Sequence, residues 1–200
     1  MAFIRTGAMD KQAKIIIAGF GGQGIVVVGN ILARGCVIEN KNVTGMVSYG
    51  AEMRGGTANA TVVISDEEIA SPYVVHPTHA IILNHPSLDR FEPEMVEGGV
   101  VLLNTSLTQR EIERNDLSQI NIAATDIAHE LGNLRVANMA ALGAFIRHTG
   151  LLQMESIQQS LADLFGAKKP ALVELNLKAL AAGAERSEYE AATAHTQIQS

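Results

Sequence analysis

The order of apolar and polar positions divides the 200-residue chain into short elements. Ile15 to Ala18 is an unbroken apolar run that ends among Gly19, Gly21, Gly22 and Gly24. Residues 14–19 therefore predict a strand buried on both faces. Beyond the glycines, Ile25, Val26, Val28, Ile31, Leu32 and Cys36 recur at helical spacing, predicting a helix over about 23–39 packed on that strand. Lys41–Val47 reads as a second strand. Thr57–Ser65, alternating and β-branched, reads as a third, antiparallel to the second. Ser71–Val75 predicts a short edge strand stopped by Pro77. His79–Asn84 and Val100–Asn104 are further buried strands; Pro86 opens a helix between them, and Gly98 and Gly99 close it. Ile120–Ala123 is one more strand, with Asp126 capping a helix at 127–131. The rest is helical at 136–149, 153–165 and 170–183, with Gly150 and Gly166 as stops and Pro170 as a start.

Strands alternating with helices predict a three-layer α/β/α sandwich with a mixed, mostly parallel sheet. The expected domain covers 14–184. A leader at 1–13 precedes it, and a polar tail at 185–200, without periodicity, reads as a flexible tail or a strap that orders on a partner. Composition narrows the function. A net charge of −6 argues against a nucleic-acid or anionic-membrane surface, and aromatics at 4% leave little for base stacking. No signal core or spanning run is visible, so the chain is expected in the cytoplasm. With one cysteine, Cys36, no all-cysteine cluster fits within the chain, and any metal–sulfur carrier is expected elsewhere. Cys36 itself falls on the apolar helix face and reads as a core residue.

Gly19, Gly21 and Gly24 satisfy G-x-G-x-x-G, and Glu39 follows at a ribose-carboxylate distance, which raises a stand-alone NAD(P)-binding oxidoreductase. Position opposes it: Glu39 closes the first helix, whereas a ribose carboxylate belongs at the end of the second strand. The remaining readings are a plain tight turn or a cradle for an anionic cofactor group, with Gly21, Gly22, Gln23 and Gly24 at the helix start. Ser48 to Gly56 gathers a phenol, a carboxylate and a guanidinium among glycines, in a loop longer than an ordinary hairpin turn. Arg54 suits a carboxylate or phosphate, Glu52 is placed to orient Arg54 or a partner, and Ser48, Tyr49 and Gly55 complete the stretch. His76, His79 and His85 read as strand-end residues; the last two are six apart, ~20 Å along a strand and too far for one ion. Asn84 and His85, at a strand's carboxyl end, are expected near a crevice. Asn138 is expected to bond a nearby loop, and Met139 and Leu142 to pack.

The Gly19–Gly24 corner followed by Ser48-Tyr-Gly-Ala-Glu-Met-Arg-Gly-Gly56 resembles the γ subunit of 2-oxoacid:ferredoxin oxidoreductases. The likeness runs over roughly 13–183, through Asn84-His85-Pro86 and Ala137-Asn138-Met139, and is nearest the 2-oxoglutarate type. The β subunit of indolepyruvate:ferredoxin oxidoreductase is similar. The resemblance implies a complex that oxidatively decarboxylates a 2-oxoacid to an acyl-CoA and reduces ferredoxin. It implies α, β and in some cases δ partner subunits that hold thiamine diphosphate and iron–sulfur clusters. This chain would be non-catalytic alone, without a firmly bound cofactor, and would help handle coenzyme A. Isolated, it is expected to self-associate.

Overall fold

The computed structural model describes residues 12–49, 57–166 and 169–193. One seven-stranded sheet organises them: β1 (Gln12–Phe20), β2 (Asn42–Tyr49), β3 (Thr57–Ser65), β4 (His79–Ile82), β5 (Val100–Asn104), β6 (Ser118–Ile122) and β7 (Glu188–Glu190), in the spatial order β2-β3-β1-β4-β5-β6-β7. β1, β4, β5 and β6 are mutually parallel; β3 runs against β1 and β2, and β7 against β6. Five strands thus point one way and two the other, the mixed, mostly parallel sheet that the alternating pattern predicts.

Side-chain alternation assigns the two faces. Ile15, Ile17, Ile81, Leu102 and Ile120 face one core, and Ile16, Ala18, Ile82, Val101 and Leu103 face the other. The first face carries α1 (Ile25–Ile38), α3 (Ala124–Glu130), α4 (Ala137–Thr149), α5 (Met154–Phe165) and α6 (Pro170–Arg186). The second carries α2 (His85–Phe91), through Leu88 and Phe91, with Met95 and Leu117. α4 is buried from Asn138 to Ile146 because it lies between the sheet and α6. Those two helices meet backbone to backbone: a methyl at Gly143 would land on the carbonyl of Leu180, and one at Gly183 on that of Ala140.

Several local expectations differ from the structure. Ser71–Val75 forms no strand: β1 is already flanked by β3 and β4, so the connection crossing beneath it meets no open edge. α2 stops at Phe91 rather than at Gly98, since Pro93 supplies no N–H and leads into a short 3₁₀ turn, Glu92–Glu94. α3 begins at Ala124, before Asp126. Its first free N–H groups are taken up at the end of the neighbouring strand: Thr125 N–H donates to Asn104 Oδ1 (3.3 Å) and Asp126 N–H to Ser106 Oγ (3.2 Å). Ser48 and Tyr49 close β2 instead of opening the loop. The polar C-terminal segment contributes β7 to the sheet edge, with Ala192 N–H donating to Ser118 Oγ at 3.1 Å.

Candidate functional site

β1 leads into α1 on one face and β4 into α2 on the other, so the chain diverges between neighbouring parallel strands. In open α/β sheets ligands bind at such a divergence, beyond the carboxyl ends of the strands. There lies a cavity of about 280 Å³, reached by Gly22 and Gln23 from the β1–α1 corner, Leu83 after β4, Asn104 at the end of β5, Thr125 in α3 and Asn138 in α4.

The corner is built for close approach. Gly24 is the N-cap of α1 with φ 76°, a left-handed conformation that favours glycine, and a methyl there would strike Asn138 Nδ2. No side chain caps α1, so its first N–H groups point outward at the positive end of the helix. Gln23 spans the divergence: its Oε1 accepts from Phe20 N–H (2.6 Å) and its Nε2 donates to Leu83 O (3.5 Å). Leu83 O also accepts from Asn104 Nδ2 (3.3 Å), and Leu83 N–H donates to Ala18 O (2.9 Å). Asn138 is 5% exposed and its Nδ2 donates to Gly24 O (3.3 Å), the loop contact expected of it. Its Oδ1 has no partner among the described residues.

Gly21, Gly22, Gln23 and Gly24 therefore sit together, with Gly22 and Gln23 on the cavity wall. Glu52, Arg54 and Gly55 lie outside the described residues. The strand ends beside them are nonetheless placed: Ala58 pairs with both Gly19 and Tyr49, and Thr57 with Phe20. The Ser48–Gly56 stretch thus leaves and re-enters the sheet at the glycine corner. Glu39 is elsewhere. It caps the far end of α1, about 20 Å away at 1.5 Å per residue, where its Oε1 accepts from Gln153 N–H (2.7 Å).

The histidines stay apart. Burial pushes the His79 ring down to about 4, and His79 packs edge-on against Phe145. His85 lies at the other end of β4, 3.6 Å from the Asp89 carboxylate. Asn84 is turned to capping, accepting from Ser87 N–H at 3.0 Å, and neither Asn84 nor His85 lines the cavity. No group of three metal-ligating side chains forms among the described residues. Cys36 is buried in the first-face core, where desolvation pushes its thiol up to about 12, the core position expected of it. Asn104, Thr125, Leu134 and Arg135 are wall residues that motif reading passed over. Their signal is position, at or beyond the ends of parallel strands.

A mixed sheet whose glycine corner, helix N-terminus and cavity coincide at the topological switch defines an α/β domain with a candidate ligand crevice. The chain belongs to the pyruvate ferredoxin/flavodoxin oxidoreductase family, whose model matches residues 14–186. It is 38% identical over 177 residues to ketoisovalerate oxidoreductase subunit VorA of Methanothermobacter marburgensis, covering 88% of this chain but 36% of that longer protein. It is 37% identical to 2-oxoglutarate synthase subunit KorC of Methanocaldococcus jannaschii, over 78% of this chain and 84% of the relative. The fold superposes with TM-score 0.78 on the keto/oxoacid ferredoxin oxidoreductase γ subunit of Geobacter sulfurreducens PCA, at 28% identity, covering 88% of this chain and 96% of that one. Gamma-type membership and the α/β expectation hold. Glu39 lies at the far end of α1, as its place in the sequence indicates. Among the described residues no helix is long and apolar enough to cross a membrane.

Proposed function

We propose that the chain is the γ subunit of a complex that oxidatively decarboxylates a 2-oxoacid to an acyl-CoA and passes the electrons to ferredoxin. Partner α and β subunits, with δ where present, supply thiamine diphosphate and the iron–sulfur clusters. This chain brings the switch-point crevice against them and receives part of coenzyme A there. The observation that carries the reading is the meeting of the glycine corner with both stems of the Ser48–Gly56 stretch at one end of the sheet. Arg54 is assigned a carboxylate or phosphate contact and Glu52 its orientation. Relatives are named for ketoisovalerate and for 2-oxoglutarate, so the substrate class is the 2-oxoacid, with 2-oxoglutarate the first to try.

The test reconstitutes the chain with its partner subunits and follows 2-oxoacid-dependent ferredoxin reduction across those substrates. Omitting the chain should abolish turnover, and Arg54→Ala should lower it at least tenfold or prevent assembly. Unchanged assembly and turnover in Arg54→Ala would remove the role given to that residue.

A further inference from the structure

The two edges of the sheet are finished in different ways. β7 is three residues long and carries Glu188 and Glu190, so a strand arriving there meets negative charge and little backbone. β2, the other edge, runs for eight residues, Asn42–Tyr49, without a charged residue or a proline. Its pairing with β3 is one-to-one from Asn42 with Ser65 to Tyr49 with Ala58, so no bulge turns the edge aside. Among the described residues no strand covers its outer side. The backbone N–H and C=O groups along that side form a template that another extended strand completes.

The flanks of this edge are apolar. Val43 and Val47 pair with Ile64 and Ala60 and so share the α1 face, while Met46, paired with Thr61, lies on the other. Met46 and Val47 are exposed. Val37 and Ile38, in the last turn of the helix that leads into β2 and packs on it, are exposed as well. The charges nearest in sequence are engaged within the chain: Glu39 Oε1 accepts from Gln153 N–H, and Lys41 Nζ donates to Leu151 O at 3.3 Å. The whole chain carries a net charge of −6, yet nothing along this strand repels an identical strand.

We infer that two copies of this chain pair through β2, antiparallel about a twofold axis at Gly45, joining their two seven-stranded sheets into one. A twofold axis normal to the sheet keeps each face on its own side, so it passes through a residue; Gly45 is exposed and leaves no side chain on the axis. Val43 then meets Val47 of the second copy on the α1 face, and Thr44 meets Met46 of the second copy on the other. At ~3.4 Å per residue the paired strands run ~27 Å, and with ~15 Å of sheet and helix depth they cover roughly 800 Å² over both copies, the size of a weak, reversible contact. Both copies use the same edge, so the pair closes and does not grow into a fibre. This pairing does not depend on how the crevice is used, and it gives the self-association expected of the isolated chain a surface and a symmetry.

Sedimentation equilibrium of the full chain from about 5 to 500 µM should show monomer and dimer with a Kd of about 10–100 µM and no larger species. Val47→Lys should weaken the dimer at least tenfold while leaving the Tm of the monomer unchanged, because Val47 lies at the exposed edge. Leu134→Lys, at the crevice, should leave the dimer intact. Thr44→Cys combined with Met46→Cys sets facing thiols twice across the axis, and mild oxidation should give a disulfide-linked dimer on a non-reducing gel; Cys36 is buried and takes no part. A monomer throughout the range, an unchanged Kd in Val47→Lys, or association lost in Leu134→Lys would each overturn the pairing. A dimer that the cysteine pair fails to capture would overturn the axis at Gly45.

Discussion

His79 makes stability depend on pH in a way that can be worked out. It opens β4, is 6% exposed, touches the Thr78 hydroxyl through Nδ1 at 2.8 Å and meets Phe145 edge-on. Burial disfavours the imidazolium and lowers the folded-state pKa from 6.5 to about 4. The unfolded chain takes up the proton first as pH falls. The contribution of neutral His79 is therefore fully present above pH 6.5, declines below it, and is gone below about 4. Full protonation costs roughly 3.5 kcal/mol at about 1.4 kcal/mol per unit, of which about 2 kcal/mol is lost between pH 7.5 and pH 5. Urea unfolding at those two pH values, on the natural chain and on His79→Gln, isolates this residue because every other titrating group is common to both. The variant should be less stable at pH 7.5 and should lose about 2 kcal/mol less on acidification. NMR titration of the ring gives the folded pKa directly. Equal pH dependence in the two proteins, or a ring titrating near 6.5, would refute the reasoning.

Gly183→Ala should destabilise although alanine is the better helix former by ~1 kcal/mol, because its methyl meets the Ala140 carbonyl and drives α4 from α6. A net loss of about 2 kcal/mol, a fall in Tm of roughly 4–8 °C, is the expected calorimetric result. Glu92 is buried at 4% exposure and holds the loop beyond β5 together: Oε1 accepts from the N–H groups of Glu113 and Arg114, and Oε2 from Arg110 Nη1 at 2.7 Å. Glu92→Gln keeps the shape but loses the charge, and should cost about 2 kcal/mol in denaturant unfolding at neutral pH.

How much of this was legible depended on whether the determining contacts were local. β3 and β5 were readable end to end, since β-branched or continuous apolar runs stop at polar residues. The glycine stops after α4 and α5 and the proline start of α6 were equally plain. The start of α3 was not, because Asn104 at the end of β5 and Ser106 in the turn after it satisfy its first N–H groups. β7 was missed because a three-residue strand is too short for a period of two to declare itself. At the site, glycine spacing revealed the corner. Asn104, Thr125 and Arg135 carry no motif, and only the strand order brings them to the same cavity. The direction of the Asn138 carboxamide depends on the Gly24 carbonyl, far away in sequence.

The Leu83 carbonyl lies at the base of the crevice. Leu83 O gathers amides from Gln23 on one side and Asn104 on the other, while its own N–H is tied back to β1. Three parallel strands are thereby laced through a single residue at the bottom of the crevice, so a shift of one strains the other two. A docking neighbour that alters this chain must therefore act on the walls: Leu134, 60% exposed, and Arg135 give way far more cheaply than the base.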